Sequence, residues 1–229
     1  MKIFYDGLDV QKYSTHPSIT GFTTNCTFFS VNNIKNYSEF YANAKDFVKE
    51  KCISFQVWEE NEESGIEQVN NIHRIDSSIF IKIPIIKSTG EYNETILKHA
   101  ILNNMSVNIT AIYTIEQIDK AFEYLKDTTL PQIVSIFAGP ISDSGKDPDT
   151  FIKYAKTIFK EKNNVQVLWA GCRELYSIKR AENAGADIIT VPGDIIDKMN
   201  LFDYELIDLS IERVSKFKNN AIDGNVTIC

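Results

Sequence analysis

The sequence predicts an α/β protein, a (β/α)8 TIM barrel with an extra C-terminal helix, and three observations carry that expectation. Eight short apolar runs recur along the chain, the stretches between them have helix-period polarity, and 229 residues suit one barrel of about 250. The runs are Lys2–Asp6 (KIFYD), Ser18–Thr23 (SITGFT), Cys52–Val57 (CISFQV), Ile79–Pro84 (IFIKIP), Met105–Thr110 (MSVNIT), Gln132–Phe137 (QIVSIF), Val165–Ala170 (VQVLWA) and Asp187–Val191 (DIITV). Most are rich in Ile, Val and Phe, as strands buried on both faces are.

Between them, Tyr37–Glu50, Glu116–Lys126 and Thr150–Lys162 repeat apolar residues at three and four, the mark of outer helices with one buried face. Asp149 is placed to cap the sixth of these helices, and Gly185 to end the seventh. The first connection, Gly7 to Pro17, is too short and polar for a full helix. Asp203–Lys216 predicts a further helix beyond the eighth strand. The whole chain, residues 1–229, reads as one domain, with an open doubly wound sheet as the rival architecture.

Composition narrows the function. Apolar residues at 43% supply a core, while a net charge of -7 argues against a nucleic-acid or anionic-membrane surface. Four cysteines (Cys26, Cys52, Cys172, Cys229) and three histidines (His16, His73, His99) show no metal-ligand spacing, so neither a metal nor a cofactor is expected. No apolar run reaches the ~18 residues of a spanning helix. MKIFYDG reads as a strand and not a signal peptide, and a cytoplasmic protein with free thiols is expected.

Polar residues recur near the C-terminal ends of the predicted strands, where such barrels place active sites. They are Asp6, Thr23 with Thr24 and Asn25 beyond it, Gln56, Lys82, Asn108 with Thr110, Ser135, and Arg173 past the seventh strand. Lys82 says most. It sits within IFIKIPII, and burial there disfavours the ammonium and leaves an amine able to attack a carbonyl. The structural alternatives are a lysine that snorkels to the rim, or one paired with a buried carboxylate, for which Asp6 is the candidate.

The motifs MKIFYD, GFTTN, SFQV, FIKIP, VNITAIY, VSIFAG, VLWAGCR and AGADIITVP resemble, in order and spacing, the transaldolase family. The nearest part is its short branch, which includes fructose-6-phosphate aldolases, and the likeness runs from Met1 to about Pro192. The resemblance implies that Lys82 forms a Schiff base with the C2 carbonyl of a ketose. A dihydroxyacetone unit would then pass to an aldehyde, as in a transaldolase, or to a proton, as in an aldolase. It implies that Asp6 assists proton transfer and that Gln56 and Thr110 bracket a catalytic water. Thr23, Asn25, Asn108 and Ser135 would hold the substrate, with Arg173 on its anionic tail. It also implies a homo-oligomer, a ring-shaped decamer being one form, in which residues 203–218 pack on a neighbouring subunit.

The chain departs from that pattern in several places. Gln56 stands where transaldolases proper have glutamate, and Phe137 where the aldolase branch has tyrosine. Pro140 replaces an arginine, Gly171 a serine, and Cys26 the proline after TTN. Asp6 with a water must therefore do more, or Tyr113 must reach in, while Lys87, Lys146 or Arg180 could supply the missing cation. A modified-sugar aldolase, or an altered barrel that only binds a sugar or partner, remain as alternative functions. Trp58, Trp169 and Phe137 read as packing residues, and Cys26 and Cys172 as fillers, although Cys172 beside Arg173 could have a lowered pKa. The acidic run Glu59, Glu60, Glu62 and Glu63 reads as a solvated loop.

Overall fold

In a computed structural model that describes residues 1–228, eight parallel strands pair in sequence order and the eighth closes on the first. They are β1 (Lys2–Asp6), β2 (Ile19–Thr23), β3 (Cys52–Gln56), β4 (Phe80–Pro84), β5 (Val107–Ile112), β6 (Gln132–Ile136), β7 (Val165–Trp169) and β8 (Ile188–Pro192). All eight predicted strands are present, with ends moved by a residue or two. The helices are α1 (Val10–Ser14), α2 (Cys26–Val31), α3 (Tyr37–Val48), α4 (Glu62–Ile75), α5 (Glu94–Leu102), α6 (Ile115–Leu125), α7 (Ala138–Asp143), α8 (Asp149–Ile158), α9 (Tyr176–Ala184), α10 (Gly193–Ile196) and α11 (Leu206–Asp223).

Local chemistry sets the helix starts. Asn25, Asn36 and Asn61 each accept a backbone N–H at the head of α2, α3 and α4, and Thr114 with Gln117 forms a capping box on α6. Asp149 is not a cap: it is the first residue of α8, after Pro148, and its carboxylate is drawn sideways to Arg180 at 2.8 Å. Gly185 ends α9 with φ 86°, a conformation that costs a side-chain-bearing residue more. The first connection holds only the single-turn α1.

Because side chains alternate across a strand, residues two apart share the barrel interior. Phe4, Ile133, Leu168, Ala170 and Ile188 form its packed apolar floor, with Phe137 leaning on them from above. Toward the C-terminal end the same rows carry polar groups. One irregularity lies there: Ala111 has φ 58°, and the β5–β6 register slips between Ile109 and Ile112. This bulge follows directly on Thr110.

The barrel is one compact unit, Met1–Ile196, and the chain from Asp197 onward is another. In that second unit a 3-10 turn takes up Met199–Asp203 and Tyr204 is extended, so α11 starts three residues later than predicted. It also runs on to Asp223, because Phe217 and Ile222 continue the apolar spacing. Every residue of α11 is exposed, Leu206 at 80% and Val214 at 62% among them. No helix of the described residues is long and apolar enough to cross a membrane.

Candidate active site

Lys82 lies on β4 with Gln56 of β3 and Asn108 of β5 as its register neighbours. Its side chain is 7% exposed. Burial pulls its pKa down from the ordinary lysine value, opposed by the charge of Asp6 and by Cys26. The amine makes no direct ion pair with Asp6. It donates instead to the carbonyl of Thr24 at 3.1 Å, the residue between β2 and α2. Asp6 is shifted the other way: burial raises its carboxyl, while Lys82 and a hydrogen bond from Thr23 hold it back. Two groups of opposite charge, each pushed toward neutrality, thus share one enclosure.

Two short networks fix the walls around them. Thr23 Oγ1 donates to Asp6 Oδ1 at 2.6 Å and also bonds Thr190 Oγ1 of β8. Across the barrel, Asn108 Nδ2 donates to Ser54 Oγ at 3.2 Å, and Ser135 Oγ donates to Asn108 Oδ1 at 2.6 Å. Asn108 is therefore held on both ends of its amide with its second N–H unused. Thr24 Oγ1, in the turn before α2, donates to the β3 carbonyl of Ser54 at 2.7 Å. Thr110 Oγ1, beside the bulge, is buried with no partner, an open valence of the kind that a water or substrate hydroxyl fills.

The remaining predicted residues sit less deeply. Asn25 spends its side-chain oxygen capping α2 at Phe28, which leaves its NH2 free for a ligand. Gln56 is half-buried, and its amide donates to Cys26 Sγ at 3.6 Å, so Cys26 contacts a predicted catalytic residue and is more than filler. Arg173 is on the rim, where it pairs with Asp143 at 2.8 Å. Tyr113 packs on Phe137 with ring centroids 5.3 Å apart.

The pattern of the transaldolase/fructose-6-phosphate aldolase family matches residues 3–225 of this chain. The chain belongs to that family. It is 27% identical over 223 residues to a probable transaldolase of Methanococcus vannielii, covering 93% of this chain and 95% of the relative. A probable transaldolase of Caldicellulosiruptor saccharolyticus is 26% identical over 94% of this chain and 96% of its own length. Among solved structures the barrel resembles native KDPGal (TM-score 0.54, 16% identity, covering 82% of this chain and 80% of that one). It also resembles mandelate oxidase with (S)-2-phenylpropionate (TM-score 0.56, 12% identity, 81% and 58%). Both are likenesses of fold.

Two of the residues singled out as departures, Pro140 and Gly171, lie against each other. Gly171 has φ 74°, and a Cβ there would meet Cδ of Pro140 at 2.7 Å. Gly139 lies against the Gly171 carbonyl with no room for a side chain. A side chain at 171 would be strained by that φ and would press on the Pro140 ring. Reasoning from strand ends missed Ser54 and Thr190, although each lies two residues before a residue already singled out or a strand end, and so faces inward. Other expectations need correcting. Trp58 packs only in part, edge-on to Tyr37 with ring centroids 5.6 Å apart and 52% of the residue exposed. Cys172 is not activated: burial pushes its thiol up to about 11. Glu60 does not dangle in solvent but accepts two bonds from Ser88, N–H and Oγ, both at 2.6 Å, pinning the loop after β3 to the one after β4. Among the described residues no group of three His, Cys, Asp or Glu side chains is placed to hold a metal. Cys229 lies outside the described residues.

Proposed function

We propose that this chain is a class I, Schiff-base transaldolase or aldolase that moves a dihydroxyacetone unit between a ketose and an aldehyde. The observation that carries the reading is the buried Lys82 amine, with a lowered pKa, in one enclosure with Asp6. A neutral amine at that point attacks the C2 ketone, and loss of water leaves an iminium. The iminium draws the electrons of the C3–C4 bond as it breaks. The C4 hydroxyl proton passes to Asp6, directly or through a water between Gln56 and the unpartnered Thr110 hydroxyl. An aldehyde leaves, and the three-carbon enamine stays on Lys82. In a transaldolase it attacks a second aldehyde; in an aldolase it takes up a proton, and water then releases dihydroxyacetone.

Asn108 and Asn25 present unused amide N–H groups to the donor hydroxyls, with Thr23 and Ser135 setting the walls behind them. Matching each buried hydroxyl matters, since an unpaired one costs about 1–3 kcal/mol. Arg173 lies toward the substrate's far end. A cytoplasmic setting agrees with the free thiols of Cys26, Cys52 and Cys172. The bare apolar residues of α11 support a homo-oligomer in which this helix packs on a neighbouring subunit. Light scattering should give a multiple of the 26.1 kDa chain, and a monomer at micromolar concentration would contradict that part.

The test of the function is borohydride reduction in the presence of ketoses, read by intact mass. Irreversible inactivation with the mass of a reduced donor added is the expected result. A panel of ketoses and dihydroxyacetone that adds no mass would overturn the proposal.

A further inference from the structure

Arg173, which the proposed mechanism sets at the substrate's far end, is already engaged by Asp143. Arg173 follows β7 and Asp143 ends α7, so their pairing joins two different loops of the barrel's C-terminal face. Both Nε (3.0 Å) and Nη2 (2.8 Å) of the guanidinium point at Asp143 Oδ2, which occupies one donor edge. Arg180, the other arginine of this region, is likewise held by Asp147 and Asp149 at 2.9 and 2.8 Å. Pro140, in the same helix as Asp143, brings its ring close to Gly171, two residues before Arg173, and the ring itself offers no donor. On the inner side stands the Tyr113–Phe137 pair, and Tyr113 lies near enough to Arg173 to feel its charge.

We infer that this end of the site receives a neutral, hydroxyl-bearing tail in place of a phosphate, and that Asp143 together with Arg173 recognises it. The inference rests on the Schiff-base reading above and specifies its substrate class. A phosphate dianion on Arg173 meets the Asp143 carboxylate at the same guanidinium, and like charges at that range repel even in water. A polyol meets the opposite situation. Arg173 supplies only donors and Asp143 only acceptors, and a hydroxyl needs one of each. The apolar faces of Pro140 and Phe137 suit the C–H surface of such a tail. With Nε and Nη2 both on Asp143 Oδ2, Arg173 Nη1 and Asp143 Oδ1 remain for a hydroxyl to bridge while the pair stays closed.

The test runs the aldol addition with the full-length protein, dihydroxyacetone as donor, and D-glyceraldehyde or D-glyceraldehyde 3-phosphate as acceptor. A donor carbon joins the aldehyde carbon and its proton ends on the new hydroxyl, so no further reactant is needed. The wild-type protein should favour glyceraldehyde in kcat/KM by about tenfold. Asp143→Asn should raise the value for the phosphorylated acceptor by about tenfold and lower that for glyceraldehyde, moving the ratio through one. A wild-type preference for the phosphorylated acceptor, or no preference, overturns the inference whether or not the variant folds. A variant that folds and leaves the ratio unmoved also overturns it. Borohydride trapping of dihydroxyacetone on the wild type separates the two claims. Trapping with the wrong acceptor preference sinks only this inference, whereas no trapping sinks the Schiff base as well.

Discussion

Inside the barrel mouth, polar side chains from β1, β2, β3, β5, β6 and β8 are tied to one another. Asp6, Thr23 and Thr190 form one network, and Ser54 and Asn108, joined by Ser135 from the edge of β6, form another, all but Asp6 fully buried. On the rim past β6 and β7 the polar groups are exposed and paired across loops, as in Arg173 with Asp143. The contrast has a physical origin. A buried hydroxyl or amide must find a partner, so each inward group constrains the next. A rim ion pair in water is worth little and tolerates exchange. The interior is built to hold one geometry around Lys82, and the rim can change substrate without disturbing it.

That comparison can be broken at several points. The largest effect is expected at Asp6. Asp6→Asn should lower turnover by about 10²–10⁴-fold, the usual contribution of a positioned proton-transfer group. It should also shift a pH profile. Lys82 is neutral above its lowered pKa, so the rate of Schiff-base trapping climbs as pH rises through that value. Asp6 raises it, and removing the carboxylate should move the climb to lower pH. A climb that moves upward would contradict the coupling.

Next comes Asn108→Ala, which leaves a cavity and two hydroxyls, Ser54 and Ser135, without their partner. A cost of about 2–4 kcal/mol follows, or roughly 5–10 °C in thermal midpoint for a chain of this size. Thr190→Val removes a single hydroxyl bond to Thr23 and should cost about 1 kcal/mol by denaturant titration. Arg173→Ala should be the mildest for stability, within about 0.5 kcal/mol, since both partners are more than half exposed. Should Arg173→Ala prove as destabilising as Asn108→Ala, the distinction between the two regions fails.

The sequence made one of these regions far more legible than the other. Eight apolar runs of strand length predict the barrel because burial on both faces leaves no other composition for such strands. Lys82, Asn108 and Asp6 stand out for the same reason: a polar residue in an apolar run contradicts its surroundings. Ser54 and Thr190 were missed because small hydroxyls do not contradict a strand, though the two-residue alternation could have found them. The bulge at Ala111 and the cap that never formed at Asp149 depend on backbone geometry that no spacing encodes. The Arg173–Asp143 pair joins residues 30 apart on separate loops. Residue types alone marked Arg173 as a cation without revealing that its charge is met. The acidic run misled because Glu60 finds Ser88 only once β3 and β4 lie side by side.

Everything in the interior of the mouth is arranged around a single nitrogen, so the decisive measurement is made there. The protein is reduced with borohydride in the presence of dihydroxyacetone, digested, and the modified lysine located by peptide mass mapping. The account predicts one adduct, on Lys82, with a yield that vanishes in Lys82→Met while that variant keeps its fold by circular dichroism. An adduct on any other lysine, or full trapping by a folded Lys82→Met protein, would contradict it.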